Sequence, residues 1–131
     1  MNKTLQLFIS HSCYYNDTQH KITGFLAKYG LNFTVSGLSP VHFKEGHDDE
    51  VATAIDTSVK ESRCIILLAG TNEVNPYWLE FEISSAKKYG KPIVVIEPWE
   101  TSRTVSIIKE NASRMVKWNG HLIAEAVKEI I

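Results

Sequence analysis

The chain is poor in the residues that mark specialised classes of protein. It has two cysteines, Cys13 and Cys64, in 131 residues. That is too few for a disulfide framework or a thiolate zinc site, so both are expected as reduced thiols. Neither sign of charge is in excess: Lys plus Arg is 14, Asp plus Glu is 15, and the formal net charge is −1. A basic stripe for nucleic acid is therefore missing. The apolar run at 64–70 is too short to cross a bilayer. Met1-Asn2-Lys3-Thr4 leads into only a short apolar segment with no small-residue cleavage site, which does not read as a signal peptide. The expected compartment is cytoplasmic, with no nucleic acid and no membrane as partner. The triplets Asn16-Asp17-Thr18 and Asn32-Phe33-Thr34 then match the glycosylation pattern by chance. The five histidines are scattered. His42 and His47 share a loop with Asp48 and Asp49, but at no known ligand spacing, so that segment reads as a solvated loop and no metal is expected.

What is present is ordinary globular material, 44% hydrophobic and 22% charged. A chain this long buries roughly two thirds of its unfolded surface, enough for one core, so residues 1–131 are expected to form a single domain. Short apolar runs alternate with helical spacing. Leu5 to Ser10 is strand-like. Asn16 or Asp17 can cap a helix carrying Ile22, Phe25, Leu26 and Tyr29 at i, i+3, i+4 and i+7, stopped by Gly30. Leu31, Phe33 and Val35 alternate with polar residues as in a half-buried strand. A loop at 36–47 is long for a compact domain, a length that often accompanies function. Asp48 and Asp49 suit a helix start, and Val51, Ala54, Ile55 and Val59 form its apolar stripe.

The run 64–69 is apolar throughout, as in a strand covered on both faces. Asn75-Pro76 reads as a cap and first turn of a helix running to about Tyr89 and ended by Gly90. A strand at 92–96, a short helix around 103–109, a strand at 114–118 and a helix from Gly120 complete five βα units. Ile123, Ala126, Val127 and Ile130 share one side of that last helix. The alternation predicts a flavodoxin-like three-layer α/β sandwich on a five-stranded parallel sheet. Ligands of such sheets bind beyond the carboxyl ends of the strands, where strand order reverses. Cys13 and Cys64 would lie at opposite ends of the sheet, too far apart to bond.

Several chemistries of this fold are excluded by residue type. Ser10-His11-Ser12-Cys13-Tyr14-Tyr15 has no glycine, so neither a dinucleotide fingerprint nor a P-loop follows the first strand. Ala69-Gly70-Thr71 has no aspartate to accept a phosphoryl group. Lys117 alone reads as an exposed strand residue. Ser10 and Ser12 are only a faint match to a flavin phosphate loop.

Trp78 and Glu82 are one helical turn apart and share a side, with Leu79, Ile83 and Ala86 as the neighbouring core stripe. An aromatic plane beside a carboxylate could hold a sugar attached to a flat ring. By spacing alone, a partly buried tryptophan with a solvated glutamate is the simpler reading.

The segment Leu7-Phe8-Ile9-Ser10-His11-Ser12 resembles the opening box of TIR domains. Trp78-x-x-x-Glu82 resembles the W-x-x-x-E arrangement of the NAD-consuming members. The strand at 64–70, the segment 72–77, Glu82-Ile83 and Gly90-Lys91-Pro92-Ile93-Val94-Val95 follow the same order. The likeness is greatest to short bacterial TIR-like proteins, including the TIR components of Thoeris anti-phage systems. It implies cleavage of the nicotinamide–ribose bond of NAD+ as substrate, with no further cofactor. Glu82 would hold the ribose hydroxyls and stabilise the oxocarbenium charge. Trp78 would pack on the nicotinamide riboside portion, and Phe8, Ser10 and His11 would line the pocket. The loop from Ser36 to His47 would gate the site and mediate assembly.

The loop reads Gly37-Leu38-Ser39-Pro40 in place of the animal-adaptor Arg-Asp-x-x-Pro-Gly pattern, which argues against an adaptor-type scaffold. His11 is structural or catalytic on equal terms. The resemblance further implies a cyclic ADP-ribose isomer or an ADP-ribose conjugate as a signal, self-association for activity, and a separate effector that reads the product. The rivals are a non-enzymatic TIR assembly module and a nucleoside deoxyribosyltransferase-like enzyme.

Overall fold

The computed structural model describes residues 5–10, 18–36, 48–68, 76–97 and 106–130. Five strands and five helices alternate: β1 (Leu5–Ile9), α1 (Thr18–Lys28), β2 (Phe33–Ser36), α2 (Asp48–Glu61), β3 (Cys64–Leu68), α3 (Pro76–Lys88), β4 (Ile93–Glu97), α4 (Ser106–Asn111), β5 (Arg114–Lys117) and α5 (Gly120–Ile130). The strands form one sheet in the order β2-β1-β3-β4-β5, and each neighbouring pair is parallel. This is the expected three-layer flavodoxin-like architecture.

Two helix ends show why the boundaries fall where they do. Gly30 and Gly90 have φ of 85° and 65°, a left-handed conformation that a side chain resists. After α1, Leu31 N–H donates to the Leu26 carbonyl (3.0 Å) and Gly30 N–H to that of Ala27 (3.1 Å). After α3, Lys91 N–H donates to Ala86 (2.8 Å) and Gly90 N–H to Lys87 (3.1 Å). Both are Schellman caps. The first corrects one expectation. Leu31 belongs to the cap of α1, so β2 begins at Phe33 rather than at Leu31. At the start of α5, Asn119 Oδ1 accepts from Leu122 N–H at 3.0 Å and caps the helix.

Successive strand residues point to opposite faces of the sheet, and the core divides accordingly. Leu7, Ile9, Cys64, Ile66, Leu68, Val94 and Ile96 pack on one side with Ile22 and Leu26 of α1 and Ile123, Ala126 and Val127 of α5. Phe8, Ile65, Leu67, Ile93 and Val95 pack on the other with Val51, Ile55 and Val59 of α2, Leu79, Ile83 and Ala86 of α3, and Ile108 of α4. All five residues of β3 are buried, as a strand covered twice must be. The edge strand β5 is only half covered. There Lys117 is exposed, and its Nζ lies 3.5 Å from Glu97, its register partner, which bears out the exposed-strand reading.

Cys64 is a free thiol at the amino end of β3, and burial pushes its pKa up to about 12. Cys13 lies outside the described residues. So do the expected caps at Asn16 or Asp17 and at Asn75, the segment 37–47 with His42 and His47, and residues 103–105 of the expected short helix. No described helix is long and apolar enough to cross a membrane.

Candidate active site

The strand order reverses at β1, which has β2 on one side and β3 on the other. The parity that sends Leu7 and Ile9 toward α1 and α5 sends Phe8 toward α2 and α3, and Ser10 falls on the same side as Phe8. Ser10 sits just past the carboxyl end of β1 and keeps the ladder going: its N–H donates to the Ile66 carbonyl of β3 at 2.9 Å. Its hydroxyl turns to α3 and donates to Glu82 Oε1 at 2.6 Å. Both residues are 0% exposed.

This overturns the solvated-glutamate reading. The i, i+4 relation does place Trp78 and Glu82 on one side of α3, but that side faces the sheet as well. Trp78 is 5% exposed and Ser85, one turn beyond Glu82, is 4% exposed. α3 is therefore buried over a wider arc than the stripe Leu79, Ile83 and Ala86. A carboxylate held out of water is costly unless it is hydrogen-bonded. The Ser10 hydroxyl supplies a bond whose length lies in the charge-assisted range.

The other candidate residues are arranged around this pair. Phe8 is fully buried and belongs to the same apolar cluster as Trp78. Trp78 also meets Phe81 edge-on, with ring centroids 5.8 Å apart and planes at 74°. Ser36 closes β2 directly beside Phe8 in the register, but its side chain lies outside the described residues, as does the whole of His11. The structure thus brings Phe8, Ser10, Trp78 and Glu82 together on the α3 side of the switch point, with the backbone of Ser36 next to them. Ser85 escaped the sequence reading, although its position three residues beyond Glu82 was the signal for it. An open depression of about 590 Å³ runs along α2 past Glu50, Thr53, Ala54, Thr57 and Ser58; among the described residues, Phe8, Ser10, Trp78 and Glu82 do not line it. Among the described residues no cluster of His, Cys, Asp and Glu could hold a metal ion.

A parallel sheet with a buried carboxylate at its switch point defines a flavodoxin-like α/β protein with a built polar site. The comparisons with known proteins narrow that class. The family model of the Thoeris protein ThsB TIR-like domain matches residues 8–103, and the chain belongs to that family. The match runs from Phe8 through Glu82 and so spans the whole site. No curated protein matches by sequence. Among solved structures, the fold is similar to the CMP N-glycosidase BcmB of Clostridium botulinum, with a TM-score of 0.58 and 15% identity over 94% of this chain and 98% of that one. It is also similar to a 3-dehydroquinate dehydratase-like protein of Bifidobacterium longum, with a TM-score of 0.54 and 11% identity over 98% and 95% of the two chains.

Proposed function

We propose that this TIR-like chain cleaves the nicotinamide–ribose bond of NAD+, with Glu82 as the catalytic carboxylate. The observation that carries the reading is the fully buried Ser10–Glu82 pair at the switch point, in a chain of the Thoeris TIR-like family. Nicotinamide in NAD+ is a pyridinium. When the bond breaks, its electron pair goes to the ring nitrogen and the base departs neutral. No general acid is needed, so one carboxylate suffices where an O-glycosidase uses two. Glu82 would bind the ribose hydroxyls and stabilise positive charge as it develops at the anomeric carbon, and its burial strengthens that effect. Glu82 is 0% exposed, so this reading requires that substrate binding uncover it.

Trp78 and Phe8 form the apolar wall for the nicotinamide riboside portion. Water or a ribose hydroxyl of the same molecule then takes the anomeric carbon and loses its proton, giving ADP-ribose or a cyclic isomer. Within a Thoeris setting the product is a cytoplasmic signal for a separate effector, and self-association supports activity. A second reading, N-glycosidic cleavage of a simpler nucleotide or deoxynucleoside, draws on the likeness in fold to a CMP N-glycosidase.

The test is chromatography with mass detection of NAD+, CMP and deoxynucleosides incubated with the protein and with Glu82→Gln. Release of nicotinamide should fall at least about 10²- to 10³-fold in the variant, the loss usual for a group aimed at transition-state charge. Equal release by both would remove Glu82 from the mechanism. Cleavage of CMP or deoxynucleosides alone would favour the second reading. Silence on all of them, at high concentration and in phage-infected extract, would favour a non-enzymatic assembly module.

A further inference from the structure

We infer that Ser10 is a positioning residue for Glu82 rather than a substrate-binding one, an inference that rests on the reading of Glu82 as the catalytic carboxylate. A serine hydroxyl has one proton to donate, and that of Ser10 goes to Glu82 Oε1 at 2.6 Å. It could donate to a substrate oxygen only by giving up that bond.

The backbone of Ser10 is fixed independently by its bond to Ile66 of the fully buried strand β3. Its neighbour Phe8 is held in register with both Ser36 and Ile65. Ser10 thus joins a strand bonded to the fully buried β3 to a carboxylate on a helix 72 positions away in sequence. A glutamate side chain has three rotatable bonds, and holding Oε1 sets the plane of the carboxylate before substrate arrives. That is the geometric precision on which a single electrostatic group depends.

The experiment compares Ser10→Ala and Ser10→Cys with the parent protein in steady-state NAD+ cleavage, each also in the Glu82→Gln background. Ser10→Ala should lower kcat about 10- to 100-fold, since misplacing a reacting group by ~1 Å can cost up to ~10²-fold, with KM changed less than about twofold. The weaker S–H donor of Ser10→Cys should give an intermediate loss, and it also serves if the alanine variant folds poorly. Neither change should lower the residual rate of Glu82→Gln further. A raised KM at unchanged kcat would make Ser10 a binding residue and overturn the inference, as would unchanged kinetics.

A second readout does not need turnover. The Glu82 carboxylate stretch, isolated as the infrared difference between the parent and Glu82→Gln, should shift in Ser10→Ala. An unmoved band overturns the positioning role whatever the substrate. A shifted band in a protein that leaves NAD+ intact upholds it, and only the substrate assignment fails.

Discussion

The two faces of the sheet are built from the same strands and spend them differently. The face under α1 and α5 is built on an apolar cluster that includes Leu7, Ile9, Ile22, Leu26, Ile66 and Ile123. The face under α2 and α3 is as well buried, yet it admits Ser10, Glu82 and Ser85 among its aliphatic and aromatic residues. The hydrophobic effect alone would fill both sides alike. A glutamate with no exposed surface adds little net stability even when hydrogen-bonded. The difference sets the face under α1 and α5 apart from the face that also buries the polar pair to which the proposed chemistry is assigned.

The sharpest way to test this division is to damage each face and read both stability and activity. Leu26→Ala, on the apolar side, should cost about 2–5 kcal/mol in denaturant unfolding, from lost transfer free energy plus the cavity. Nicotinamide release per folded molecule should be left nearly unchanged. Glu82→Gln should do the reverse. If Leu26→Ala removed activity from protein still folded, the two faces would not be separable.

A smaller effect is expected where α5 meets α1. A Cβ at Gly120 would lie 2.7 Å from the ring of Phe25, which itself meets Trp118 edge-on at 5.6 Å. Gly120→Ala should therefore destabilise by about 1–3 kcal/mol through overpacking, despite alanine's better helix propensity. A melting temperature equal to or above the parent's would mean that the ring gives way freely.

The smallest effect falls on the other face, where α3 is tied to α2. Tyr89 donates its hydroxyl proton to Asp56 Oδ2 at 2.6 Å, and Lys88 Nζ lies 3.4 Å from Oδ1. Tyr89, and less so Lys88, holds the Asp56 carboxyl below its usual value of 3.8. A lowered carboxyl stabilises the fold above its unfolded pKa, and that contribution fades as the pH falls through the folded value. Tyr89→Phe should cost about 1 kcal/mol at neutral pH, and the gap from the parent should narrow below about pH 4 in urea titrations. A gap independent of pH would assign the loss to packing rather than to the Asp56 bond.

Local rules made most of the fold legible. Periods of 2 and 3.6 residues distinguish strands from helices within a few residues of chain, and a glycine able to take positive φ marks a helix end. The start of β2 was misread because alternation at Leu31, Phe33 and Val35 cannot reveal that Leu31 is already engaged by the cap of α1. The members of the candidate site were legible as residue types, since Trp78-x-x-x-Glu82 and the end of the first strand stand out in the family pattern. Their relation was not. A spacing of four says that two residues share a side of a helix, and it is silent on whether that side meets water or a sheet.

Sequence alone thus determined the order of strands and helices, the α/β class and the family, because each depends on short-range pattern and residue identity. Only the tertiary structure decided that Glu82 is buried and that Ser10 donates to it. That contact requires β1 inside the sheet between β2 and β3, strand parity that turns Ser10 toward α3, and a helix packed closely enough to bring a carboxylate 72 positions away to 2.6 Å.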